Sequence, residues 1–283
     1  MTIKYAKVRY SEQFGLSAYV DDGRTRVSAE AKETRRAMIA ALSDRRYGWY
    51  KQKLAACGPN RKSWCNLSMC PCCVERTQRW LTKGAAECLL TIFSEHEVPI
   101  IAIQADLPDQ RYERLDLCDI DLPALNQQIQ RQYAEAGISL AFSGVRVSLI
   151  EDEYADTEFW AADVRSVIVG LPKRDVIQAI KSFYPRQPVE RWHDLDAEQA
   201  LQSTIEPGFF RERTVKKDDG CRVTRSDQLW GTELCRVAYC FARYRMAARY
   251  VLTGCHVIDD GLELNRGVKK RLRASADRRR RGS

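Results

Sequence analysis

Five of the chain's eleven cysteines fall within seventeen residues, as Cys57, Cys65, Cys70, Cys72 and Cys73. Cys70 and Cys73 form a Cys-x-x-Cys knuckle, whose tight turn aims two sulfurs at one ion, and Cys57 and Cys65 upstream can complete a tetrahedral zinc set. Cys72 is then the spare thiol. Disulfides, or reduced cysteines used as small core residues, are the alternatives, and the crowding argues against the second for all five. Seven residues separate Cys57 from Cys65, unlike the spacing of a two-knuckle ribbon, so spacing alone leaves the choice of four open. No histidine lies nearby to make a mixed site. The expected cofactor is a structural zinc ion on Cys57, Cys65, Cys70 and Cys73.

With 283 residues, 45% hydrophobic and 30% charged, the chain has material for one large domain or two small ones. No apolar run approaches the ~20 residues needed to span a bilayer, and residues 1–10 lack the apolar core of a signal peptide. No membrane partner is expected. Clustered, partly adjacent cysteines fit a reducing compartment with a metal better than a secreted disulfide framework, so a cytoplasmic location is expected. Cys88, Cys118, Cys221, Cys235, Cys240 and Cys255 read as ordinary reduced core residues.

The net charge of +8 conceals an asymmetry. Residues 24–83 hold fourteen Lys or Arg against four Asp or Glu, residues 265–283 hold nine against one, and the remainder is acidic by about −10. Basic ends around an acidic middle suit a protein whose particular surfaces meet a polyanion. The expected phosphate contacts are Arg35, Arg36, Arg46, Lys53, Arg61, Lys62, Arg76, Arg79 and the tail residues Arg278, Arg279, Arg280 and Arg281. Tyr47, Trp49, Tyr50, Trp64 and Trp80 are interleaved with the first basic stretch, where they could stack on unpaired bases or simply anchor a small core.

Two short strands are expected at 4–10 and 16–20, then a helix from the N-cap Ser28 to about residue 56 and another leaving the knuckle at 74–95. Ile100, Ile101 and Ile103 mark a buried strand ended by Pro108. Leu122, Leu125, Ile129 and Tyr133 mark an amphipathic helix closed by Gly137. Strands around 145–149 and 164–169 read as an antiparallel pair, followed by helices near 176–183 and 196–205 and a long helix at 229–253. The expected class is α+β, an antiparallel sheet covered by helices, with an N-terminal helical zinc-binding module. The expected segments are 1–95, 96–210, 211–264 and a disordered basic tail at 265–283.

This order of motifs resembles the rolling-circle plasmid replication initiators that carry a cysteine cluster ahead of a His-hydrophobic-His nuclease domain. The resemblance covers residues 50–255 and rests on Trp64-Cys65 through Cys70-Pro71-Cys72-Cys73 with Arg76, Arg79 and Trp80, on the strand from Pro99 to Ile103, and on the block from Gly144 to Pro172. Pro207 to Arg211 and Glu233-Leu234 add to it. It implies DNA as partner, single-stranded or hairpin, and a chemistry in which a tyrosine attacks the phosphate while two histidines hold a metal against it.

At the implied histidine positions this chain has Asp163 and Arg165, and at the implied tyrosine and lysine it has Ser203 and Glu206. An arginine cannot ligate a metal, and serine and glutamate reverse the chemistry of the other pair. The resemblance therefore implies a zinc-stabilised DNA-binding protein of a mobile element whose nicking centre is degenerate. Two other functions stay open: an active replication endonuclease using Asp163, the carboxylates Glu151, Asp152, Glu153 and Asp156 and another tyrosine, and a mobile-element regulator binding a protein through the acidic middle.

Overall fold

The computed structural model describes residues 2–9, 27–42, 47–58, 64–93, 98–204, 209–216, 222–259 and 261–282. The second short strand expected at 16–20, together with Arg46, Arg61, Lys62 and Glu206, lies outside them. The described chain is mixed α and β, built on a nine-stranded sheet. Its strands are β1 (Ile3–Arg9), β2 (Ile100–Glu113), β3 (Leu140–Asp152), β4 (Thr157–Val169), β5 (Val189–Arg191), β6 (Leu195–Asp196), β7 (Phe210–Lys216), β8 (Arg222–Gln228) and β9 (Tyr250–Thr253). A separate hairpin pairs β10 (Cys255–Ile258) with β11 (Gly261–Leu264).

The β3–β4 hairpin is the expected antiparallel pair, longer at both ends, with Arg146 opposite Asp163 and Gly144 opposite Arg165. Purely antiparallel pairing is corrected, because β1 runs parallel to β5 and β6, and β3 runs parallel to β7. The sheet is therefore mixed. Pro108 does not end its strand: β2 shifts register between Asp106 and Arg111 and resumes, since a bulge tolerates a residue that cannot donate to the ladder. The segment boundaries expected at 95 and 210 do not divide the sheet either, which takes β1 from before the first and β7, β8 and β9 from after the second.

Among the described residues eight α-helices surround this frame: α1 (Ala29–Ala41), α2 (Gly48–Ala55), α3 (Pro71–Phe93), α4 (Leu122–Glu135), α5 (Lys173–Phe183), α6 (Ala197–Thr204), α7 (Gly231–Phe241) and α8 (Val268–Gly282). Leu122, Leu125, Ile129 and Tyr133 of α4 are buried, as their spacing requires. Tyr133 hydrogen-bonds Ser166 of β4, and Tyr184 after α5 donates to Gln132, so α4 and α5 share one sheet face. On the other face Leu81 and Ala85 of α3 and Leu201 of α6 meet Phe142 of β3. They cover that end and leave the Arg146–Ile150 end of the same face open as a cleft of about 210 Å³.

Three helical expectations are corrected. The helix expected across 28–56 is two, α1 and α2. The helix expected across 229–253 ends at Phe241, after which a short 3-10 turn at Met246–Arg249 leads into β9 against β3. The backbone there is captured by the cysteine segment, through the Ser68 N–H on the Tyr244 carbonyl and the Met246 N–H on the Asn66 carbonyl, which continuing helix would forbid. The tail expected to be disordered is the helix α8, anchored by buried Val268 and Leu272. Leu272 occupies the space where a Cβ on Gly170 would stand, and Gly170 has φ +96°, so glycine is favoured there. Cys118 and Cys240, expected to be reduced, form a disulfide between the turn after β2 and the end of α7.

Candidate metal centre and nucleic-acid interface

The knuckle is assembled from three pieces of chain. Pro71 opens α3 as its first residue, where a missing N–H costs nothing, so Cys70 and Cys73 sit at the helix's positive end. Cys57 follows α2. The loop between Cys65 and Cys70 is clamped from behind, with the Ser68 hydroxyl donating to the Phe241 carbonyl at 2.8 Å and Arg249 to the Ser68 carbonyl at 3.3 Å. Arg35 reaches from α1 to donate to the Cys57 carbonyl.

The ligand atoms of Cys57, Cys65, Cys70 and Cys73 lie within 4.8 Å of one another, and all four residues are buried. Cys57 Sγ is 3.4 Å from Cys73 Sγ, and Cys65 Sγ is 3.5 Å from the same atom. Cys72 points away, toward the Ala31 carbonyl at 3.7 Å. Four thiols so close cannot all ionise on their own: hydrogen bonds from Cys65, Cys70 and Cys73 draw Cys57 below the ordinary thiol range, while Cys57 beside them pushes Cys70 and Cys73 above it. One divalent cation would offset part of the charge of the ionised set, and a compact four-sulfur cage suits a tetrahedral ion. Among the described residues this is the only group of three or more potential ligands close enough to share one.

The carboxylates of the alternative magnesium cradle do not converge. Glu151 is paired with Arg211 at 3.1 Å and Arg213 at 3.0 Å, on the opposite sheet face from Asp163, and Asp152 accepts the Tyr154 N–H in its own turn. Asp163 instead faces the open cleft. Its Oδ2 accepts from Arg146 Nε at 2.7 Å, its Oδ1 lies 3.8 Å from Arg165 Nε, and Arg146 also binds Glu212 at 2.7 Å. Arg146 thus already holds one oxygen of the carboxylate, and a second guanidinium stands close to the other. Ser203 on α6 bonds its hydroxyl to the Ala200 carbonyl, turned back on its own helix. Burial pushes the phenols of Tyr184 and Tyr250 up, making both poorer nucleophiles, and Tyr244 donates to the Ile120 carbonyl.

The expected phosphate contacts separate into two groups. Arg35 is committed to the knuckle, Arg79 pairs with Glu75, and Arg76 lies 4.7 Å over the ring of Trp64. Glu75 in turn takes the N–H and hydroxyl of Ser28, the N-cap of α1, so these residues tie α1 to α3. Arg36 is exposed, and Lys53 stands 4.8 Å over Trp49. The backbone of Arg278, Arg279, Arg280 and Arg281 continues α8 beyond its anchored first turns, where Lys269, Lys270, Arg271 and Arg273 are exposed.

Trp64 and Trp80 are half-buried against the core, whereas Trp49 is 55% exposed. Tyr239, which its place in an apolar segment assigns to the core, is 49% exposed. No helix among the described residues is long and apolar enough to cross a membrane. Set against known proteins, the chain matches no protein-family model, no curated protein and no solved structure.

Proposed function

We propose that this chain is a zinc-stabilised DNA-binding protein of the rolling-circle initiator type, with its nicking centre degenerate. Zinc would be held by Cys57, Cys65, Cys70 and Cys73, where it would contribute folding energy and fix the end of α2 and the start of α3 around one point. Binding would come from phosphate neutralisation by Arg36, Lys53 and the basic face of α8, on single-stranded or hairpin DNA.

The observation that carries the non-nicking part is the occupied carboxylate: Asp163 is bound by Arg146 at 2.7 Å with Arg165 beside it, where the resemblance requires metal ligands. A cation brought there would meet two positive charges already seated. The test is a panel of fluorescent single-stranded and hairpin DNAs with manganese, run on native and denaturing gels. A native shift that weakens steeply with salt, without cleavage or adduct, is the expected result. Affinity indifferent to salt rejects the reading, and a covalent adduct lost on one Tyr→Phe change establishes the active endonuclease instead. Copurification with one stoichiometric protein and no nucleic acid would favour a regulator acting through the acidic middle.

A further inference from the structure

Among the described residues the nine-stranded sheet ends on a strand that is paired on one side only. β8 bonds to β7 from Arg222 to Gln228 and closes the strand order, and Thr224, Arg225, Ser226, Asp227 and Gln228 are all exposed. A bare edge offers its backbone N–H and C=O groups to any further strand, and natural sheets blunt such edges with charged side chains. β8 carries two near its centre, Arg225 and Asp227, opposite in sign and one residue apart.

Neither charge is spent inside the molecule. Arg225 and Asp227 form no salt bridge among the described residues, and the arginines opposite them on β7, Arg213 and Arg211, are both held by Glu151, at 3.0 and 3.1 Å. Glu151 is the main counter-charge of Arg213, with Glu153 and then Asp227 behind it. The Gln228 side chain bonds to Glu30 and Thr34, so α1 abuts the last residue of the strand.

Backbone hydrogen bonding decides which residues face the open edge. The Leu229 N–H donates to the Phe209 carbonyl next to β7, and successive residues of an antiparallel strand turn their N–H and C=O to alternate sides. Val223, Arg225 and Asp227 therefore bond inward, and Thr224, Ser226 and Gln228 aim theirs outward. A second β8 running antiparallel must set outward residues against outward residues. Centred on Arg225 or on Asp227 it would put like charges face to face, and centred on Thr224 it would oppose Arg225 to Val223. Centred on Ser226 it opposes Arg225 to Asp227 of the second copy, twice, at the non-hydrogen-bonded positions where side chains stand closest.

We infer that β8 is a self-complementary edge, on which a second copy of this chain pairs antiparallel about Ser226 and continues the sheet across a two-fold axis. This pairing does not depend on nucleic acid. The contact is one strand wide, so the dimer is weak and concentration-dependent.

The test is sedimentation of the full chain, freed of nucleic acid, over a concentration series from micromolar to submillimolar. The parent should pass from monomer to dimer. Arg225→Asp and Asp227→Arg should each weaken the dimer about tenfold or more, since each sets two like-charged pairs across the edge. The double change Arg225→Asp with Asp227→Arg should restore it, and so should mixing the two single variants, whose edges complement each other. A parent that stays monomeric throughout overturns the proposal and leaves the edge to an extended segment of another protein. A dimer unmoved by the single changes, or one that they weaken and neither the swap nor the mixing restores, overturns it as well.

Discussion

The four sulfurs at the start of α3 and the Asp163–Arg146–Glu212 group on the sheet are both withdrawn from water, yet only the second carries its own counter-charges. On the sheet, Arg146 spans two carboxylates and Arg165 stands behind, so the group is neutralised by side chains. At the knuckle the groups that ionise are all of one kind, and Arg35 offers its guanidinium to a backbone carbonyl. A buried cluster that includes its own cations is finished as it stands. One without them can be completed from outside, and a metal ion is the group that four close cysteines could hold.

The sharpest way to break this contrast is to remove one sulfur. Cys70→Ala should abolish folding of the α1–α3 region, and chelation of the parent should do the same, read as loss of helical circular dichroism and of stoichiometric zinc by metal analysis. Structural zinc in small cysteine modules contributes on the order of 10 kcal/mol, and in the proposed site it would join the end of α2, the loop from Cys65 and the start of α3. Cys72→Ala is the control. It should keep zinc and lose little stability, since Cys72 donates to the Ala31 carbonyl and lies outside the group of four close sulfurs. Equal effects from the two changes would mean that the knuckle is a packed core.

On the sheet, the corresponding cut is Arg146→Ala, which should cost about 3–5 kcal/mol by leaving buried Asp163 with only the more distant Arg165 and removing the partner of Glu212. The double change Arg146→Met with Asp163→Leu should recover much of that loss, because two apolar side chains of similar volume need no counter-charge. Denaturant titration of the three proteins reads the difference. A single variant as stable as the parent would show that water reaches Asp163, and the cleft would then be open to a cation after all.

The knuckle was legible because its chemistry is local: five cysteines in seventeen residues admit few other readings, and α4 followed from its spacing in the same way. What stayed hidden was decided by partners far along the chain. α7 ends at Phe241 because the loop between Cys65 and Cys70 takes the backbone of Tyr244 and Met246, which no periodicity near 241 records. The Cys118–Cys240 disulfide joins positions 122 residues apart. Leu272 finds its place only at Gly170, so the tail's basic composition concealed a helix. Tyr239 did leave a signal: it falls three residues after Arg236, away from the side of α7 that carries Leu234, Val237 and Phe241.

The smallest expected effect concerns Asp106, which shares the cleft with Asp163 but is bonded there by the Thr2 N–H rather than by Arg146. Burial pushes its carboxyl above the usual range, only partly opposed by the Thr2 N–H at 2.8 Å, and Asp163 nearby pushes the same way. The folded state therefore holds this proton more tightly than the unfolded chain does. Stability from this group is whole below the ordinary aspartate value near ~4 and is lost as pH rises through the folded value. Asp106→Asn removes the charge and keeps an oxygen for Thr2, so it should raise the melting temperature at neutral pH by a few degrees, with the gain vanishing below about pH 4. A gain that persists in acid would come from something other than the charge. A loss at neutral pH would mean that the ionised carboxylate is matched by Lys4 or Arg111 across the cleft, and that this end of the sheet is balanced in the same way as the Arg146 group.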